Sequence, residues 1–122
     1  MDIDTALKNA MEIDGAIGVA LVDYDSGMAL GSLGGGRHLD LDLAAAGNTE
    51  VVRAKLRTMA SLALGDEIED ILITLGKQYH LIRLISGERS GSLFLYLALD
   101  RQRANLAMAR HELRRVERDL TV

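Results

Sequence analysis

Apolar residues recur along this chain with two periods, and each change of period marks a new element. Ile3, Leu7, Ala10 and Met11 fall on one side of a helix that Asp2 or Asp4 can cap. Gly15 suits the left-handed residue that ends it. Ala16 to Val22 is continuously apolar, as a strand covered on both faces must be. Asp23-Tyr24-Asp25-Ser26-Gly27 is turn chemistry, and Met28 to Leu33 returns as a second strand. Gly34-Gly35-Gly36 reads as a flexible connection to a long helix, Leu41 to Leu64, capped by Asp40 or Asp42 and closed by Gly65. A three-strand meander follows: Glu67 to Leu75, a tight Gly76-Lys77 turn, Gln78 to Ser86, a looser loop over Gly87 to Gly91, and Ser92 to Leu99. The last strand is apolar on both faces, which predicts a central position. Asp100 is expected to cap a final helix with one clean stripe: Leu106, Ala109, Leu113, Val116 and Leu120.

Two apolar central strands need cover on both faces, and three helices can supply it. The order helix, two strands, helix, three strands, helix therefore predicts an α/β (α+β) fold. Its form is a three-layer sandwich around a five-stranded antiparallel sheet, one domain over residues 1–122. The long helix breaks the simplest pattern, because it has two apolar faces. Leu41, Ala45, Val52, Leu56, Met59 and Ala63 line one; Leu43, Ala44, Gly47, Val51, Ala54 and Leu62 line the other. A surface helix needs only one such stripe. The second, rich in Ala and Gly, predicts close approach by another helix, and a second copy of the chain can provide it. The strand after this helix is a plausible sheet edge, made sticky by Ile68, Ile71 and Ile73. Pairing with its own copy would protect that edge. The expected dimer surface is thus Ala44, Gly47, Val51, Ala54, Ile68, Ile71 and Ile73.

The absence of cysteine excludes disulfides and thiolate metal sites, and His38, His80 and His111 have no ligand spacing. No cofactor and no metal are expected. The opening Met1-Asp2-Ile3-Asp4 lacks the basic and apolar regions of a signal peptide, and no apolar run reaches the roughly 18 residues of a membrane span. A cytoplasmic protein without membrane insertion is expected. The net charge of −4 is unevenly spread. Through Glu50 there are nine acidic residues against Lys8 and Arg37, whereas from Arg101 onward six arginines face Glu112, Glu117 and Asp119. That basic helix has interleaved charges and no aromatic residue for stacking, so a solvated face is expected and no nucleic-acid partner. Arginine outnumbers lysine eleven to three, a bias of GC-rich bacterial genomes.

The order and lengths of these elements resemble the Roadblock/dynein light-chain family over nearly the whole chain. The residues that carry the resemblance are Ala16-Ile17-Gly18-Val19-Ala20-Leu21-Val22-Asp23 and Ser26-Gly27-Met28-Ala29, then the Ala-rich second helix, Gly65 and Ile68 to Leu75. Tyr79-His80-Leu81-Ile82 and Leu93 to Leu99 leading into Asp100 complete them. The resemblance implies a homodimer that joins two sheets at an edge and lays the second helices side by side. It also implies a small Ras-like GTPase as partner, resting across those helices. Bacterial members resemble parts of multi-gene signalling sets that include a sensor kinase. Gly47-Asn48 inside the helix departs from the pattern, because Gly there costs about 1 kcal/mol relative to Ala. It marks either a kink or a close helix contact.

Several constellations invite chemistry. The apolar strand ending in Asp23-Tyr24-Asp25 looks like the first motif of magnesium-dependent haloacid-dehalogenase-type phosphatases, with Asp23 and Asp25 as nucleophile and general acid. That reaction also needs a Lys, a downstream acidic pair and a longer parallel sheet. Asp25-Ser26-Gly27 matches the aspartic-protease triplet, whose small dimers are almost wholly β. A hairpin turn explains both at less cost. Gly31-Ser32-Leu33-Gly34-Gly35-Gly36-Arg37 could cradle a phosphate but lacks the Lys-Ser/Thr ending of a P-loop. His80 reads as a satisfied structural residue. Arg83, a charge on an otherwise apolar strand face, reads as paired with an acid near a helix end or as part of the dimer seam. Glu50, Arg53 and Arg57 form the polar strip of the long helix, either a solvated ion pair or the charged rim that steers a partner. Together these readings predict a non-enzymatic homodimeric regulator or scaffold that binds a small GTPase, with Glu50, Arg53 and Arg57 as the partner-binding residues. The alternative is the Asp23/Asp25 phosphatase.

Overall fold

A computed structural model describes residues 1–85 and 91–121 of the chain. The loop expected over Gly87 to Gly91 and the end of the strand before it lie outside the described residues, except for Gly91. The described residues form α1 (Ile3–Met11), β1 (Ala16–Asp23), β2 (Met28–Gly34), α2 (Leu41–Ser61), β3 (Asp70–Thr74), β4 (Gln78–Leu84), β5 (Leu93–Asp100) and α3 (Leu106–Asp119). The strands make one antiparallel sheet in the order β2-β1-β5-β4-β3. β1 and β5, the two continuously apolar runs, lie inside it, and the middle of each is fully buried.

Alternation along these strands splits the core in two. Val19, Leu21, Leu81, Leu95, Leu97 and Leu99 face α1 and α3, where Leu7, Ala10, Ala109, Leu113 and Val116 meet them. Ala20, Val22, Ile82, Phe94, Tyr96 and Ala98 face Leu41, Ala45 and Val52 of α2. Helix, sheet and helix therefore make the three layers the sequence predicts. The α3 stripe is buried as expected, so Leu113→Ala costs about 2–5 kcal/mol.

Several boundaries move. α2 runs unbroken through Gly47 and ends at Ser61, not near Gly65. Its last buried residue is Met59. Beyond it nothing holds the helix on the sheet, and Ala63, at φ 54°, makes the left-handed exit. The Leu64 N–H bonds the Met59 carbonyl at 3.0 Å across that exit. Asp100 does not cap α3. It ends β5 opposite Gln78, and its carboxylate accepts from the Gln102 N–H at 3.0 Å within a turn. Asn105 caps α3 instead, accepting from the Met108 N–H at 3.0 Å. β3 starts at Asp70 and not at Glu67: its register with β4 opens at Asp70↔Arg83, and before it only the Glu69 carbonyl joins, accepting from the Leu84 N–H at 3.3 Å. The triglycine is not a slack tether: Gly34, Gly35 and Gly36 all have positive φ, and the Gly35 N–H bonds the Ile17 carbonyl at 2.8 Å.

Candidate partner-binding surface

Only one of the two stripes of α2 is buried. Leu41, Ala45, Thr49, Val52 and Met59 lie against the sheet, with Leu56 half-buried. Thr49 joins this face because its hydroxyl bonds the Ala45 carbonyl at 2.8 Å, so no polar atom is stranded. The second stripe is open. Leu43 is 71% exposed and Leu62 62%, and Gly47, Val51 and Ala54 are exposed beside a half-buried Ala44. A Cβ added at Gly47 would meet nothing within 4 Å. Among the described residues of the single chain, nothing gives a reason for glycine there.

Asn48 does have a reason. It faces inward and hydrogen-bonds the hydroxyl of buried Tyr96. That hydroxyl lies 3.2 Å from His80 Nδ1, and His80 Nε2 lies 2.7 Å from Gln78 Oε1. These distances fit a neutral imidazole that accepts from Tyr96 and donates to Gln78. Burial pushes the Tyr96 phenol up to about 12 and holds the His80 imidazole below its usual range. His80 is thus a satisfied structural histidine, as its apolar neighbours in sequence predict.

Beside the open stripe lies edge strand β3. Its register against β4 runs without a shift from Asp70↔Arg83 to Thr74↔Tyr79. The Leu75 N–H bonds the Gln78 carbonyl at 2.8 Å and the Leu84 N–H bonds the Glu69 carbonyl at 3.3 Å. In an antiparallel ladder these two bonds fix the parity. Residues 69, 71, 73 and 75 bond inward, so the N–H and C=O groups of Asp70, Leu72 and Thr74 point away from the sheet. Ile71 and Ile73 lean half-buried toward the α2 layer. Ile68 is displaced from its expected place: it lies in the extended approach to β3, not on the strand. It still joins Val51 and Ile71 in lining a groove of about 1030 Å³ between α2 and β3, together with Lys55, Met59 and Leu64. Three of the seven expected dimer residues line this groove, Val51, Ile68 and Ile71, while Gly47 and Ala54 stand exposed on the stripe of α2.

β3 is tied down from the opposite face. The Asp70 carboxylate takes two hydrogen bonds from Arg110 of α3, at 3.0 and 3.1 Å. Arg83, 8% exposed, bonds Glu117 of α3 at 2.9 Å, and its Nη1 stands 3.8 Å from Asp70. The sequence-predicted acid near a helix end is therefore Glu117, found 34 positions away along the chain.

The polar strip occupies the other flank of α2. Glu50 and Arg53 stand 3.7 Å apart on an exposed surface, a pair worth about 0.2–0.5 kcal/mol. Arg53 also reaches the Asp25 carbonyl in the β1–β2 turn at 3.5 Å, while Arg57 is exposed. Asp23 serves that turn. Its carboxylate accepts from the Asp25 N–H and the Ser92 hydroxyl, both at 2.9 Å, and these bonds hold it below the usual carboxylate range. A carboxylate so engaged at the end of an antiparallel strand does not reproduce the phosphatase arrangement, which needs a parallel sheet. The glycine loop is no phosphate cradle either. At the α2 N-terminus the Asp40 carboxylate already accepts from the Asp42 and Leu43 N–H groups at 3.1 Å, and Asp42 stands beside it.

No family model and no curated protein matches the chain. Solved structures do. A Roadblock/LC7 domain from Streptomyces avermitilis superposes with a TM-score of 0.79 at 14% identity, covering 97% of this chain and 93% of that one. MglB from Myxococcus xanthus gives 0.72 at 19% identity, over 93% and 84%. An MglB with a tetrameric arrangement gives 0.78 at 16% identity, over 93% and 81%. The chain has the Roadblock/LC7 fold. Among the described residues, the open stripe of α2 and the unpaired edge of β3 are contiguous on one side of the chain. Among the described residues no helix is long and apolar enough to cross a membrane.

Proposed function

We propose that the chain is a member of the Roadblock family that forms a homodimer and, as a non-catalytic regulator or scaffold, binds a small Ras-like GTPase across its paired second helices. The observation that carries the dimer is the continuity of an exposed apolar helix stripe with a regular, unblocked strand edge. Two such edges joined about a twofold axis would make one continuous sheet and bring Gly47, Val51 and Ala54 of each α2 together. Gly47 then has a purpose, since it lets two helices approach closely. The GTPase is proposed on the family resemblance. The adjoining charges of Glu50, Arg53 and Arg57 give the helix pair a polar border for orienting it. A place in a multi-protein sensor system is part of the same reading.

Sedimentation of the purified chain tests the dimer, with two copies expected at micromolar concentration; a monomer there overturns it. Calorimetric titration with a small GTPase from the same genome, loaded with GTP or GDP, tests the partner. Binding is expected to weaken at least tenfold in Arg57→Glu. Magnesium-dependent phosphatase activity lost in Asp23→Asn would overturn the non-catalytic reading.

A further inference from the structure

α1 and α3 do not close along their outer sides, and between them runs a groove of about 650 Å³. From α3 it takes Asn105, Met108, Glu112, Arg115 and Asp119, one side of the helix from its cap to its last residue. The 14 residues of that helix span about 21 Å, so the groove is elongated and suits a length of chain. Its floor is apolar: Ile13 is half-buried, Val116 is buried, and Met108 is 54% exposed.

Charge along the groove is one-sided. Glu12, Asp14, Glu112 and Asp119 line it, against the Arg115 guanidinium and the Met1 ammonium. Both cations are already engaged: Arg115 stands 3.5 Å from Glu112, and the ammonium donates to the Asp119 carbonyl. Glu12 and Asp14, on the α1 side, are exposed and stand in no ion pair among the described residues. Free carboxylates beside an uncovered apolar floor call for cations and an apolar stripe on one ligand, and an anionic ligand is repelled. We propose that the groove docks a cationic amphipathic helix of another protein. Its apolar stripe lies on Ile13, Met108 and Val116, and its lysines or arginines lie over Glu12 and Asp14. Arg110 and Arg114, exposed on the far flank of α3, border the site and confine the positive charge of the segment to the α1 side. The groove is on the sheet face away from α2, so this docking rests on neither the β3 pairing nor the GTPase.

Fluorescence anisotropy of the full chain at low salt tests this with a labelled synthetic peptide as long as α3. The peptide carries leucines at i, i+3 and i+7 and lysines on one flank, and its counterpart has glutamates in place of the lysines. The lysine peptide is expected to bind and the glutamate peptide to stay free. Glu12→Lys should weaken binding about tenfold, and a lysine at the C-terminus of α1 suits the helix dipole, so the fold is kept. Asp25→Lys makes the same change of net charge at the other end of β1 and should leave affinity within about twofold of wild type. Met108→Gln, at an exposed position and without a change of charge, removes the apolar anchor and should weaken binding about fivefold. A lysine peptide that does not bind, an equal loss in Asp25→Lys, or Met108→Gln binding like wild type overturns the proposal. So does a lower sedimenting mass of Met108→Gln without peptide, the sign that a second copy covers the floor.

Discussion

The sheet has two open edges, and they are built differently. β2 is irregular: Leu21 pairs with Gly31 and Val22 with Ala29, so Leu30 is an extra residue in a bulge, half-exposed and unpaired. Its far end turns away through the left-handed Gly34. Bulges and abrupt ends are how natural sheets stop strands from recruiting neighbours. β3 has none of this. It is short but regular, without Lys or Pro, and an apolar helix face lies alongside it. The two edges differ in regularity and not in hydrophobicity, for Met28 and Leu30 leave β2 apolar too.

The sharpest way to break the comparison is to place the same residue on both edges. Leu72→Pro removes an N–H that points away from the sheet, so the protomer ladder keeps its bonds while the seam loses a donor. The expected outcome is loss of the β3 dimer in sedimentation, whereas Leu30→Pro in the bulge leaves the assembly unchanged. Equal effects would erase the distinction between the edges. Gly34→Ala attacks what ends β2. Its φ is +76°, and the added Cβ would stand 2.5 Å from the Ile17 carbonyl oxygen. We expect a loss of about 2–3 kcal/mol in denaturant unfolding with the copy number unchanged.

Gly47→Ala is smaller and gives two opposite signs. With nothing near the new methyl in the protomer, helix propensity should raise its stability by about 1 kcal/mol under conditions where copies are dissociated. The same methyl should weaken dimerisation if a second helix packs there. A gain in both measurements would show that no helix does. The smallest effect is a pH dependence. His80 is held below its ordinary value of 6.5 by burial, so the unfolded chain binds its proton more tightly than the folded one. The stability this group contributes is complete above that value and falls as pH drops through the lowered one. Melting temperature should therefore decline on mild acidification, and less steeply in His80→Gln.

Much of this architecture was legible because burial repeats. The α3 stripe and the continuously apolar β1 and β5 stand out in any reading by period. What could not be read depended on partners distant in sequence. Glu67 to Glu69 alternate as a strand should, yet the regular ladder opens only at Asp70 and leaves them as its extended approach. Asp100 and Asn105 are both good capping residues, and the Arg101 N–H bonding the Lys77 carbonyl at 3.1 Å commits the first to a turn. Asn48 looked like an intruder in a helix until Tyr96 appeared beneath it. On the candidate surface the open stripe is visible in the composition, whereas Ile68 alternates like a strand residue and lies in the approach to β3.

Asp70 makes two parts of the fold inseparable. It is the first residue of the free edge and also the carboxylate gripped by Arg110 of α3, with buried Arg83 behind it. If α3 moves, it must either drag the start of β3 along or strand a guanidinium in the core, a loss of about 3–5 kcal/mol. The two faces of the sheet therefore share one mechanical tether. A displacement of the helix on one side is felt by the strand on the other, and by thermodynamic reciprocity a displacement of the strand is felt by the helix.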